Sequence, residues 1–467
     1  MTTRHVELAI VGAGPAGLSA ALQAKAAGVN VVVIDENERP GGQIFRQPPA
    51  AFQIADKNRL GRDFARGRKL LDAVREAEIC IESGITVWNA TSSTLSCCRT
   101  DRSWDITSDA ILLATGAYDR PVPLPGWTLP GVFTSGGVQT MLKSQRVLAG
   151  RRILLAGTGP LNLVLANQLA EAGATVVAVL ELARPRLHEL AALALGPWEL
   201  LSDGIGYVTN LVRRNIPLMR GWTLIEARGS DHVESAVIGR VDRDWRSIKG
   251  TERVIEVDTI CLGYGLVPST ELSRLIGCDH RYDAQLGGWV PTHDDYMESS
   301  IPSVFVAGDG SGVAGSLVAI EEGRIAGLRA AWRLRKIDDV AFRRLTAAPL
   351  KRLRQLNRFR AVLDGLSAPR AGLFERMTDD TVICRCEEAS LGDCRQAVER
   401  GAVSLTELKP GLRVGMGMCQ ARICGPTLVE VVARLTGRTP SSIMPFTPRP
   451  PVKPIPLAAL LKQEPVE

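Results

Sequence analysis

One pattern within the first 36 residues decides most of what this chain can fold into. An apolar run at residues 6–11 meets Gly12-x-Gly14-x-x-Gly17. A helical stretch follows over about 18–27, and a second apolar run at 31–34 ends in Asp35 and Glu36. Gly12 permits the tight turn, Gly14 lets backbone approach a pyrophosphate, and Gly17 lets the helix pack close to the strand. Pro15 and Ala16 complete the turn. The helix N-terminus then presents unpaired N–H groups and partial positive charge to the phosphates. An acid about 20 residues past the glycines can accept from a ribose hydroxyl. Three glycines alone would suit any glycine-rich turn. Strand, glycines, helix, strand and acid in that order specify a dinucleotide-binding βαβ unit.

The pattern recurs. An apolar run at 153–156 enters Gly157-x-Gly159-x-x-Asn162, and after a helical stretch a strand at 175–180 ends in Glu181. Asn162 stands where the third glycine belongs, and a larger side chain there is expected to push helix and strand apart. This unit therefore either keeps an altered nucleotide site at Gly157, Gly159 and Glu181 or keeps only the fold. Glu181 favours a free ribose 2′-hydroxyl, while Arg184 and Arg186 leave a 2′-phosphate open.

Other segments point to the first site. Gly42 and Gln43, in Pro40-Gly41-Gly42-Gln43, either approach the far side of the same ligand or form a plain turn. Residues 57–76 read as a solvated basic helix with one buried stripe. Short strands are expected at 86–89 and 103–107, and a buried strand at 110–114 runs into Thr115-Gly116. Pro121, Pro123, Pro125 and Pro130 exclude regular structure and suggest a crossover between domains. Strands follow at 234–241, 253–257 and 260–263. The strand at 304–307 then ends in Gly308-Asp309, ahead of a helix over about 316–335. Ligands of open α/β sheets sit at such carboxyl ends. Asp309 there can bond a sugar-alcohol chain or cap the next loop. Arg343, Arg344, Lys351, Arg352, Arg354, Arg358 and Arg360 crowd one helical stretch, a solvated helix or a docking surface.

The cysteines concentrate near the end, as Cys384-x-Cys386 and Cys419-x4-Cys424. Four thiolates suit a [2Fe–2S] cluster, a structural zinc or another soft-metal site. The one-residue spacing is short for a zinc knuckle and favours iron–sulfur. Gly411, Gly415, Gly417 and Gly425 can free backbone N–H groups to bond sulfur. Helices are expected at 391–400 and from Pro426 to about 435, with Cys394 a packed, non-ligand thiol. The proline-rich tail, 439–467, should be extended and either pack along the surface or meet a partner.

Composition narrows the function classes. A net charge of +6 on 467 residues gives no case for nucleic acid. No apolar run approaches a membrane span, and the first apolar run carries the glycine fingerprint, so it reads as a core strand and not a signal peptide. Ten cysteines in a cytoplasmic-type chain are metal ligands, redox groups or small core residues. No CxxC occurs. Cys97-Cys98 falls in a loop-like stretch, and Cys261 and Cys278 read as core. His5, His188, His232, His280 and His293 are scattered, so no catalytic residue is assigned.

Together VGAGPAGLSAA, GGQ, LLATGA and VFVAGDG resemble the two-dinucleotide-domain flavoproteins related to thioredoxin reductase. CRCEEAS and GMGMCQARICG resemble bacterioferritin-associated-ferredoxin-type [2Fe–2S] domains. The combination is similar to the A subunits of opine oxidases and the flavoprotein subunits of hydrogen cyanide synthase and dye-linked proline dehydrogenases. The resemblance implies an α/β chain of two Rossmann-like dinucleotide-binding domains followed by a small helical [2Fe–2S] domain. The FAD domain would be discontinuous, 1–120 and 280–335, around a second nucleotide domain, 121–279. A basic linker at 336–380, the cluster domain at 381–438 and the tail complete the chain. By the same resemblance Gly12, Gly14, Gly17, Asp35 or Glu36, Gly42, Gln43, Gly116, Gly308 and Asp309 hold FAD. Cys384, Cys386, Cys419 and Cys424 hold the cluster, and the second site takes ATP or NAD(P). A glycine/D-amino-acid-oxidase-like partner subunit with its own flavin would oxidise an amine, joined by a further small subunit. This chain would relay electrons onward, touching an acceptor peripherally. The competing expectation is a self-sufficient NAD(P)H-dependent reductase, which needs a working second fingerprint.

Overall fold

The computed structural model describes residues 3–49, 51–52 and 62–461. They form two compact units. One comprises Met1–Ala117, Pro268–Asn357 and Thr447–Glu467, the other Tyr118–Val267 and Arg358–Phe446.

The first unit is built on a sheet whose parallel strands run in the order Cys80–Ser83, Val31–Asp35, Thr3–Val11, Arg102–Leu113. Val31–Asp35 is buried at every residue, which is why it reads as an unbroken apolar run. Beyond Thr3–Val11, two further partners share Arg102–Leu113. Thr94–Arg99 pairs antiparallel with its first half, and Val304–Val306 pairs parallel with Ile111, Leu112 and Leu113. The expected break between 107 and 110 is therefore absent. The polar residues Ser108 and Asp109 lie where one partner gives way to the other, inside a single 12-residue strand. Cys97 and Cys98, expected in a loop, are buried in Thr94–Arg99.

Helix Pro15–Ala26 packs against helix Ser316–Arg333 through small residues. A Cβ on Gly323 would fall 2.1 Å from the Ala16 carbonyl oxygen, and one on Gly327 would fall 2.3 Å from that of Ala20. The basic helix begins at Arg62 among the described residues and ends at Glu76; the expected turn at 57–61 lies outside them. From Thr447 the tail belongs to this unit, and it ends among the described residues in the short helix Leu457–Leu461 rather than extended throughout. Val452 joins the apolar core with Val32, Ile34, Ile111 and Val304, and Ala459 is fully buried.

The second unit repeats the parallel plan, in the order Leu218–Arg220, Thr175–Glu181, Arg152–Gly157, Thr259–Gly263, Val132–Thr134. A three-stranded antiparallel sheet, Trp222–Arg228, Ser235–Arg240 and Arg253–Glu256, lies within the same unit. Helices Leu187–Ala194 and Trp198–Arg213 add to what the sequence pattern leads one to expect. Residues 120–130 form neither helix nor strand, as their prolines require.

The cysteine-bearing segment belongs to this unit. It contains a short hairpin, Val382–Cys384 and Ala389–Ser390, and helices Leu391–Glu399, Leu405–Leu412 and Cys424–Leu435. Leu405–Leu412 is a further unexpected helix, although Ser404 and Glu407 form a capping box at its start. The Trp127 indole N–H donates to the Val382 carbonyl (2.8 Å), and the Thr427 hydroxyl donates to that of Pro121 (3.2 Å). The crowded arginines lie on one helix, Asp339–Ser367, whose buried side includes Phe342, Thr346, Leu353 and Leu356. Among the described residues no helix is long and apolar enough to cross a membrane.

Candidate functional site

The first fingerprint folds into a cradle at the carboxyl ends of Thr3–Val11, Arg102–Leu113 and Val304–Val306. Gly12, at φ +107°, carries a position where a Cβ would sit 2.2 Å from the Ala114 carbonyl oxygen, so the turn runs hard against the neighbouring strand end. A Cβ on Gly17 would fall 1.9 Å from the Gly12 carbonyl oxygen. Gly14 is different: its nearest neighbour would be the Gly42 Cα at 3.8 Å. Open space therefore faces the N-terminus of Pro15–Ala26, where a pyrophosphate could take the unpaired N–H groups. Gly42 (φ +61°) comes within 2.9 Å of the Gly14 Cα at its own would-be Cβ, and Gly308 (φ +73°) comes equally close to the Ala16 side chain. Thus Gly12, Gly14, Pro15, Ala16, Gly17, Gly42 and Gly308, drawn from three distant stretches, meet at one point.

The acids are more committed than their spacing suggests. Asp35 is buried; Oδ2 accepts from the Ala13 N–H (2.5 Å) and Oδ1 from the Asn37 backbone and side chain (2.7 and 2.8 Å). It braces the glycine turn from the ribose position. Glu36 pairs with Lys453 of the tail. Gln43 accepts from Arg46, itself half-buried and lowered in pKa by burial against the pull of Asp35 and Glu36. The Thr115 hydroxyl donates to the Ser269 carbonyl (2.7 Å), and Gly116 (φ +70°) borders open space. Asp309 Oδ1 caps the following loop through the Ala314 and Gly315 N–H groups, both at 3.0 Å.

Glu322 is a site residue that the motifs do not mark. It is buried beneath the Gly308-Asp309 turn and accepts from the Gly308 N–H (2.8 Å) and the Ser311 hydroxyl (3.3 Å). Burial, reinforced by Asp309, pushes its carboxyl up to about 8. An acid in line with Val318, Ala319, Ile325 and Ala326 on a buried helix face is the available signal.

In the second fingerprint Glu181 copies the bracing role: Oε2 accepts from the Gly159 N–H (3.1 Å) and Oε1 from that of Ala183 (2.9 Å). Burial pushes it up to about 7. Gly159 (φ +94°) would place a Cβ near only the Ser367 side chain, at 3.5 Å. Asn162 does not wedge helix from strand. It is buried, its Nδ2 donates to the Gly263 carbonyl (3.1 Å), and its Oδ1 accepts from the Ser135 hydroxyl (2.8 Å). Gly157 and Gly263 make the room, since a Cβ on Gly263 would lie 2.1 Å from Asn162 Oδ1.

Cys384, Cys424, Cys419 and Cys386 form a row of thiol contacts in that order. Among the described residues no three Cys, His, Asp or Glu side chains converge on a single ion. A two-iron cluster asks instead for two thiolates at each iron. The thiol of Cys424 and the N–H groups of Glu387, Gly415 and Cys386 hold Cys384 down to about 6. Cys424, with the N–H groups of Ile423 and Ala421, holds Cys419 down to about 5. Cys424, the donor to both, is pushed up. Cys386 is pulled down by a backbone N–H bond from Cys419, yet ends raised by burial and the Cys419 sulfur. Such preformed N–H···S donors are what thiolate ligands need. Gly417 would put a Cβ 2.2 Å from that of Cys386, so the loop closes on the thiol only without a side chain. Cys394 is fully buried and pushed up to about 12, an inert core thiol.

Residues 6–332 match the family described as pyridine nucleotide-disulphide oxidoreductase, and 382–434 match the BFD-like [2Fe-2S] binding domain. The opine oxidase A subunit of Agrobacterium tumefaciens (strain Ach5) is 34% identical over 97% of this chain and 91% of that protein. The chain belongs to that family. Hydrogen cyanide synthase subunit HcnB of Pseudomonas aeruginosa is equally similar, 34% identical over 96% of this chain and 97% of its own. Among solved structures, L-proline dehydrogenase from P. horikoshii shares the fold with a TM-score of 0.70 at 20% identity, over 98% of this chain and 80% of that one. The protein is an FAD-dependent oxidoreductase whose cofactors are FAD and a [2Fe–2S] cluster. The fold is α/β, with the small helical cluster domain after the dinucleotide-binding part.

Proposed function

We propose that this chain is the electron-transfer subunit of a heteromeric amine or amino-acid dehydrogenase, of the opine, imino-acid or glycine type. A partner flavoprotein subunit of the glycine/D-amino-acid-oxidase kind would oxidise the substrate, and this chain would pass the electrons to an outside acceptor. The carrying observation is the pairing of a dinucleotide cradle with a row of four thiols, three of them already served by backbone N–H donors. When bound, flavin supplies two-electron chemistry and the cluster one-electron transfer. The residues proposed to hold FAD are Gly12, Gly14, Pro15, Ala16, Gly17, Asp35, Gly42, Gln43, Thr115, Gly116, Gly308 and Asp309. Those proposed for the cluster are the four cysteines of the row.

The described histidines support a relaying role. His280 is locked by the Ser273 hydroxyl (2.9 Å) and the Cys278 carbonyl (2.7 Å), and burial lowers it to about 4. His5, His188 and His232 are exposed. The relatives bear subunit names, in opine oxidase and in hydrogen cyanide synthase, which agrees with an assembly. The test is dye-linked oxidation of opines, imino acids and glycine by the purified chain, alone and co-expressed with a glycine-oxidase-like partner. Turnover is expected only with the partner. Rapid turnover by the single chain overturns the reading, and fast NADH oxidation by it favours a self-sufficient reductase.

A further inference from the structure

We infer that the C-terminal segment is a wall of the flavin site, with Val452 and Lys453 closing its ribose end and slowing release of the dinucleotide. The inference rests on FAD lying in the first unit with its ribose at Asp35. The chain after Asp35 is held against a second loop: the Gly84 N–H donates to the Asn37 carbonyl and the Ile85 N–H to the Asp35 carbonyl, both at 3.0 Å. Strand Thr86–Ala90 leaves from that loop. At Trp88, about 10 Å along, the carbonyl accepts from the Val452 N–H (2.9 Å). The next residue, Lys453, reaches back to Glu36, the neighbour of Asp35. The tail thus runs from strand Thr86–Ala90, where Val452 anchors it in the core, back to the residue beside Asp35.

The anchoring is strong where it is apolar and weak where it is charged. Val452 is 5% exposed within the core, Ala459 is fully buried, and the Ala459 carbonyl accepts from the Ser103 hydroxyl at 2.5 Å. Prolines at 448, 450, 451, 454 and 456 reduce what ordering this segment costs. By contrast, the Glu36 carboxylate is about half exposed (52%), so its ion pair adds little to folding. Its consequence is local. FAD brings a pyrophosphate, and Asp35 and Glu36 set two carboxylates beside the path to it. Lys453 and the half-buried Arg46 offset that charge. A lysine from the tail is placed to favour an anionic ligand rather than to hold the chain together.

The test is the rate at which FAD fluorescence appears after dilution of the purified holoprotein, with far-UV circular dichroism melting and cluster absorbance as the checks on folding. Ending the chain at Phe446, which takes away the apolar anchor and the ion pair together, is expected to speed release about fivefold or more. Lys453→Glu should speed it about tenfold, and adding Glu36→Lys should restore most of the difference, since the like-charge contact is removed. Native release rates from the truncated and the Lys453→Glu proteins, both with cluster intact, overturn the inference. If truncation also removes the cluster, the charge-reversal pair decides alone, and failure of Glu36→Lys to restore retention counts against it. Absence of FAD from the unaltered chain would instead refute the flavin site itself.

Discussion

Gly14 and Gly17 are two residues of one fingerprint, yet they should fail in opposite ways. In Gly17→Ala the new Cβ would lie 1.9 Å from the Gly12 carbonyl oxygen and 3.2 Å from the Ile10 side chain. The oxygen is backbone and cannot swing aside, so helix Pro15–Ala26 must retreat. Overpacking of this kind costs about 1–3 kcal/mol, of which the better helix propensity of alanine returns up to about 1. In Gly14→Ala nothing clashes: the nearest atom is 3.8 Å away, and the backbone, at φ −81° and ψ −176°, suits any residue. The apoprotein should be unchanged or gain up to about 1 kcal/mol through the stiffer unfolded chain. Its methyl group, however, fills the space facing the helix N-terminus. Displacing one charge-assisted phosphate hydrogen bond costs about 1.5–3 kcal/mol, which weakens FAD binding about 10- to 150-fold. Thermal unfolding of the apoproteins and titration with FAD separate the two. Native FAD affinity in Gly14→Ala would show that the pyrophosphate does not pass over this residue. An apo Gly17→Ala as stable as the parent would show that the close approach holds nothing.

Cys419→Ser should lose most cluster absorbance and iron after anaerobic purification, whereas Cys394→Ser, a change to a buried non-ligand, should keep both; stoichiometric zinc in the parent protein would refute the assignment. Asn162→Gly restores the common fingerprint but removes the bonds to Gly263 and Ser135, so we expect about 1–3 kcal/mol of lost stability and no gain of NADH oxidation. Stopped-flow reduction by NADH in that variant would count against the structural role. Glu322 has a folded pKa raised to about 8 from 4.5, so the folded state holds its proton longer. Its contribution is full below about pH 4.5 and is lost as pH rises through 8. The thermal midpoint of Glu322→Gln relative to the parent should therefore climb between pH 5 and pH 8, and a flat difference would refute the buried neutral acid.

Much of the cradle is legible in the sequence because its information is local. Gly12, Gly14 and Gly17 and the strand and helix around them lie within one short stretch, where turn geometry and burial dictate residue type directly. Gly42 and Gly308 can be read as well, since glycine beside a strand end marks a positive φ and a close backbone approach. What escapes depends on partners far away in the chain. Asn162 looks like a wedge because its consequence turns on Gly263, a glycine in another strand that gives its side chain both room and an acceptor. Strand Arg102–Leu113 looks like two because Ser108 and Asp109 resemble a loop until the exchange of partners between Thr94–Arg99 and Val304–Val306 is seen.

The acids carry the sharper lesson. Spacing alone marks Asp35 and Glu181 as ribose ligands, yet each first satisfies an N–H of its own glycine turn, Ala13 in one unit and Gly159 in the other. The same carboxylate can therefore be retained by the fold whether or not a nucleotide binds. Its presence in the second unit is no argument for a second cofactor. What distinguishes the two units is the ground around the turn. The middle glycines, Gly14 and Gly159, both leave room for a side chain, but in the first unit Gly42 borders Gly14, Gly17 closes the turn and the tail brings Lys453 to the acid's neighbour. In the second, the position after the turn is filled by a hydrogen-bonded asparagine. A fingerprint residue reports on ligand binding only when its alternative task in the turn can be excluded, and that requires the neighbours which the linear pattern omits.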